Sequence, residues 1–216
     1  MTIISIYALF WTRSVAKTPL DFPLNVYLTD SAYRVVDELL MSSPLTYGRE
    51  YFINPEKVNF VKLEFNGEYD IGGLRVIPLR GDHVTCFEKN SANYLITLPN
   101  GKTMYYALDT GYYPEETFEA LKGKKIDLLI NECTYPILED DGNNTRGHSQ
   151  LHTALRVFER LYAQETISDK TEIWLSHIGP FGATHTELSE YLSRLETPYR
   201  VSAAYDGLSL EDHFGW

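Results

Sequence analysis

Residues 171–180 read T-E-I-W-L-S-H-I-G-P: a short apolar run that stops on His177 and is followed by glycine and proline. Five residues of that kind, bounded by turn formers, fit a strand buried on both faces. The run sits between two helical patterns. Upstream, L-H-T-A-L-R-V-F-E-R-L-Y-A carries apolar residues at helical spacing after Ser149, which is read as its cap. Downstream, Thr184 and Glu187 make a capping box that opens T-E-L-S-E-Y-L-S-R-L. A last strand, Tyr199 to Tyr205, then ends on Asp206. Strand, helix and strand in alternation imply a mixed α/β sheet with helices outside.

Working further toward the N-terminus, Ile126–Ile130 is an almost wholly apolar strand leading into N-E-C-T. Pro114 begins a short helix with acidic residues in its first turn and Gly123 beyond its end. Asn93–Leu98 and Thr103–Leu108 flank P-N-G-K, a hairpin signal, and Asp109 ends the second arm. Val58–Phe65 alternates at period two and G-L-R-V-I-P-L follows a glycine pair, so the two are expected to be adjacent strands, with His83 just after the second. Leu24–Thr29 reads as a strand, and Asp30 as the cap of the helix S-A-Y-R-V-V-D-E-L-L-M. The opening M-T-I-I-S-I-Y-A-L-F-W has no basic leader and is too short to span a bilayer, so it is read as a core strand or a truncated element, and the protein as cytoplasmic.

The chain has 216 residues and a formal net charge of -11, which fit one domain over 1–216 and argue against general nucleic-acid binding. A small substrate is the simpler partner. Cys86 and Cys133 lack C-x-x-C spacing and are read as buried reduced thiols. The chemistry lies at strand exits: His83, Asp109, Glu132, His177 and Asp206, joined by His148 at a helix start. Strand ends of layered α/β folds converge on one rim, and imidazoles with carboxylates are ligands for zinc, iron or manganese. Singly each is weak, because a strand-end His is commonly structural and Asp before Gly is commonly a turn former. His152 and His185 are read as helix-surface or cap residues, and His213 as part of a polar tail.

Taken in order, L-R-G-D-H, Y-A-L-D-T-G, I-N-E-C-T, R-G-H-S-Q, W-L-S-H-I-G and A-Y-D-G-L resemble the successive motifs of the metallo-β-lactamase superfamily. Within it they look most like the branch of the phosphoribosyl cyclic phosphodiesterase and the tRNA 3′-processing endonuclease. The resemblance implies an αββα sandwich and metal-dependent hydrolysis of a small (cyclic) phosphodiester through a hydroxide activated by two zinc or manganese ions. It makes His83, Asp109 and His177 metal ligands, Asp109 as the bridge. It makes His148 the proton donor to the leaving oxygen, Glu132 the carboxylate that fixes the His148 ring, and Asp206 a residue behind the ligands.

The superfamily's H-x-H-x-D-H motif has no counterpart, since no histidine precedes His83. The resemblance therefore implies a fold lacking its N-terminal strands, half of its metal ligands and, as given, much or all of its activity. The sheet edge so exposed invites pairing with another chain, a homo-oligomer included. Two alternatives stand beside the hydrolase: a non-catalytic relative that binds a ligand or partner, and a tRNA-processing nuclease.

Overall fold

The computed structural model describes residues 24–41, 58–85, 87 and 90–211. The expected opening strand, Cys86 and His213 lie outside the described residues. Two compact units are present, one over 1–64 with 85–88 and one over 65–84 with 89–216.

In the smaller unit β1 (Leu24–Thr29) pairs in parallel with β2 (Val58–Leu63), Leu24 opposite Val58 and Thr29 opposite Leu63. Helix α1 (Asp30–Val35) follows β1 directly, and Thr29, one residue earlier than expected, occupies its cap position without a side-chain bond. Its continuation, Val36–Met41, is π-helical. Lys62 ties strand to helix, with Nζ 2.8 Å from Asp30 Oδ1 and 4.3 Å from the centre of the Tyr33 ring. That pairing lowers the Asp30 carboxyl below its usual range and raises the Lys62 ammonium.

The larger unit is a seven-stranded sheet in the order β3 (Tyr69–Ile71), β4 (Leu74–Arg80), β5 (Ala92–Thr97), β6 (Thr103–Ala107), β7 (Leu128–Glu132), β8 (Glu172–Ser176) and β9 (Arg200–Ala203). The expected pairing of the Val58 strand with the Leu74 strand does not occur: β2 pairs with β1, and β4 with β3 and β5. Period-two alternation identifies a face, not a neighbour. The hairpin at Asn100-Gly101 forms as read, Gly101 at φ 85° and Leu98 N–H bonded to Lys102 O at 2.8 Å.

From β6 onward every pairing is parallel, and each next strand is reached through a helix: α2 (Glu115–Leu121), α3 (Leu151–Ala163) and α4 (His185–Ser193). Right-handed crossovers that advance in one direction put all their helices on one face. The core accordingly joins Phe118 and Leu121 of α2, Leu151, Phe158 and Leu161 of α3, and Leu188 and Leu192 of α4 to Leu129, Ile173 and Leu175 of the sheet. The alternate positions Leu128 and Trp174 join Met104 in a separate cluster on the sheet's other face. Burying Phe118 and Phe158 stabilises the fold by about 2–3 kcal/mol each. No helix among the described residues is long and apolar enough to cross a membrane.

The Thr184–Glu187 capping box is present as read. Ser149, by contrast, does not cap α3. Gln150 is the cap residue, while the Ser149 hydroxyl donates to Thr110 O at 2.9 Å. Within the core the Tyr105 hydroxyl is fully buried without a hydrogen-bond partner among the described residues, and burial pushes its pKa up. A buried hydroxyl without a partner costs more than it returns. Tyr105→Phe should therefore leave stability unchanged or raise it by about 1 kcal/mol, measured by urea denaturation; a loss above that size would reveal a bond the hydroxyl makes.

Candidate metal centre

Because β6 to β9 run parallel, their C-terminal ends lie along one rim, and β4, two antiparallel steps from β6, exits there too. Backbone bonds lace the exits together. The Asp82 carbonyl accepts from Gly111 N–H at 3.1 Å and Gly147 N–H at 2.7 Å. The approach at Gly111 leaves no room for a side chain, since a Cβ would stand 2.3 Å from Thr145 O.

Four side chains converge on this rim. Asp109, Glu132, His148 and His177 each offer a ligand atom within 4.8 Å of the others. Asp109 and His177 both have left-handed backbones, φ 50° and 53°, the first separated from the end of β6 by Leu108 alone and the second directly after β8. Such a conformation costs on the order of 1 kcal/mol outside glycine and recurs where side chains must be aimed at a ligand. The Asp109 turn is braced by Ser91 Oγ–H donating to Asp109 O at 2.6 Å and by Asn93 Nδ2–H donating to Leu108 O at 2.8 Å.

The hydrogen bonds fix what each group has left to give. Glu132 is wholly buried, and its carboxylate accepts from Ser149 N–H at 2.6 Å, Thr134 Oγ1–H at 2.9 Å and His148 Nδ1–H at 3.0 Å. Its oxygens are therefore largely spent. Thr134 has one proton and spends it on Glu132, so its oxygen accepts from His177 Nδ1–H at 2.9 Å. That leaves the His177 Nε2 lone pair facing Asp109 Oδ1 at 3.4 Å. Two electron-rich atoms at that distance need a positive charge between them, and a carboxylate with imidazoles is a donor set suited to zinc, manganese or iron. The residues fit a divalent cation, held by Asp109 and His177 with His148 beside them.

His83 stands outside the four-residue group. Its ring lies edge-on to His148 with centroids 4.7 Å apart, and Nδ1–H donates to Val84 O at 2.8 Å, which leaves Nε2 without a partner among the described residues. Asp206 is exposed and lines a cavity of about 450 Å³ with Ser176, His177, His185 and Tyr205. Among the described residues it makes no hydrogen bond to a histidine. His152 is half-buried and bonds Leu138 O through Nε2 at 3.0 Å. Cys133 packs in the core, where burial and the neighbouring Glu132 carboxylate push its thiol up to about 12, so it stays protonated. Sequence reading passed over Thr134, whose one signal was its place two residues after Glu132, on the same side of an extended chain.

The Beta-lactamase superfamily domain matches residues 28–168, and the chain belongs to that superfamily. None of the curated proteins matches it. Among solved structures it is similar to YhfI of Bacillus subtilis, a metallo-β-lactamase-fold protein, at 19% identity and TM-score 0.65, covering 95% of this chain and 70% of that one. Unliganded yeast PDE1 is similar at 13% identity and TM-score 0.69, covering 92% of this chain and 63% of that one. The short form of human tRNase Z is similar at 15% identity and TM-score 0.57, covering 95% and 73%. At these identities the likeness is one of fold.

Proposed function

We propose that this chain carries the machinery of a metal-dependent phosphodiesterase for a small phosphodiester. The observation that supports it most is His148 held at Nδ1 by the buried Glu132 beside the Asp109–His177 pair. Asp109, His177 and His83 are the proposed ligands; a divalent cation held there supplies Lewis acidity toward a phosphoryl oxygen. The chain's own contribution is a proton at a fixed place. With Nδ1–H committed to Glu132, Nε2 is the ring nitrogen of His148 left to hand a proton to a departing alkoxide. The name of the tRNase Z neighbour denotes a nuclease of tRNA, which agrees with phosphodiester chemistry, while a net charge of -11 disfavours a polyanionic substrate.

The test is calorimetric titration with Mn²⁺ and Zn²⁺, followed by an assay on bis(4-nitrophenyl) phosphate. Asp109→Asn and His177→Ala should each weaken cation binding by about tenfold or more, and a chelator should abolish cleavage. A chain that binds the cation and hydrolyses a thioester or lactone but no phosphodiester would keep the hydrolase and refute the substrate class.

A further inference from the structure

Phe181 is an apolar ring in open view, 63% exposed, on the loop between β8 and α4. The loop that carries it is strapped down. Gly179 N–H donates to Thr134 O at 3.1 Å and Ala183 N–H to Pro136 O at 2.9 Å. A Cβ at Gly179 would stand 2.6 Å from Thr134 O, and one at Gly182 2.7 Å from Pro136 O, so only glycine lets the loop lie this close. The ring is thus presented by a fixed backbone whose anchor residues follow directly on Glu132 and Cys133.

Phe181 also has a neighbour that reaches the site. Its ring tilts at 45° to Tyr135, centroids 6.1 Å apart, and Tyr135 meets His148 edge-on at 6.2 Å. From His148 outward there is a continuous run of ring surfaces, ending in one that the described residues leave uncovered. An aliphatic group would gain only contact area there, whereas a planar aromatic group gains offset or edge-to-face geometry as well.

We infer that Phe181 and Tyr135 form a shelf that stacks a planar aromatic portion of the substrate. The inference rests on the phosphodiesterase reading in one respect: since the shelf runs out from the group proposed to protonate the leaving oxygen, the aromatic portion belongs to the leaving group. Phe181 is then a specificity residue, touching the part of the substrate remote from phosphorus.

Calorimetric titration of the full chain in Mn²⁺ buffer with adenosine 5′-monophosphate, ribose 5-phosphate and adenosine separates the contributions. The monophosphate should bind about tenfold more tightly than ribose 5-phosphate, the size of one stacking contact on an aromatic side chain. Phe181→Ala should erase that difference without changing ribose 5-phosphate binding or the thermal melt, and Phe181→Trp should restore it. Phe181-dependent binding of adenosine with no gain from the phosphate would uphold the shelf and remove the phosphodiesterase reading. Unchanged nucleotide affinity in Phe181→Ala, an equal loss for both phosphates, or no binding of adenosine or its monophosphate would overturn the shelf.

Discussion

Glu132→Ala should destabilise the larger unit by about 3–5 kcal/mol, the largest stability effect expected of any residue on the rim. The carboxylate is wholly buried and accepts from Ser149 N–H, Thr134 Oγ1–H and His148 Nδ1–H. Deleting it leaves donors from β7's exit and from the loop before α3 facing a void. Each buried donor stripped of its acceptor costs about 1–3 kcal/mol, which water entering the void recovers in part. Glu132→Gln should cost far less. Its carbonyl oxygen still accepts from Ser149 N–H, and Thr134 can turn its proton elsewhere. Urea denaturation of the three proteins decides the matter: a loss below about 1 kcal/mol for Glu132→Ala would mean that the donors find other partners and that Glu132 does not hold the rim together.

That role is only partly visible in the sequence, and the reason is physical. A five-residue apolar run followed by a carboxylate announces a buried strand and its exit, so β7, β8 and the places of Glu132 and His177 follow from pattern alone. Parallel order then gathers the exits. What pattern does not contain is pairing and proton traffic. The pattern points the Val58 strand to the wrong neighbour because alternation says which side of a strand is buried and nothing about what lies beside it. Ser149 reads as a helix cap because serine before a helix usually is one. Here Thr110 O claims its hydroxyl and Glu132 its N–H, bonds that exist only once β6, β7 and α3 are assembled. Thr134 escaped notice for a related reason: its value lies in one oxygen serving Glu132 and His177 together, a contact 43 residues apart in the chain.

His148→Ala should lower kcat for an alkyl phosphodiester by about 10²–10⁴-fold, the span usual for losing a positioned acid, with little change in KM. The expectation follows from where the ring's bonds go. Glu132 takes Nδ1–H at 3.0 Å, the stacked His177 ring lies 5.6 Å away at 17°, and the His83 ring stands edge-on at 4.7 Å, so the ring is held in place and Nε2 is its nitrogen left to give a proton. A ring held this tightly serves as an acid for a poor leaving group and matters little for a good one. The loss should therefore shrink toward tenfold with 4-nitrophenolate, which departs without a proton. Glu132→Gln should reproduce part of the defect in a folded protein, because an amide N–H facing Nδ1 forces the proton onto Nε2 of the neutral ring. These comparisons separate the acid from a metal ligand: removing a ligand weakens cation binding and slows every leaving group alike. Equal losses for alkyl and nitrophenyl esters, together with weakened Mn²⁺ binding, would transfer His148 from the proton to the cation.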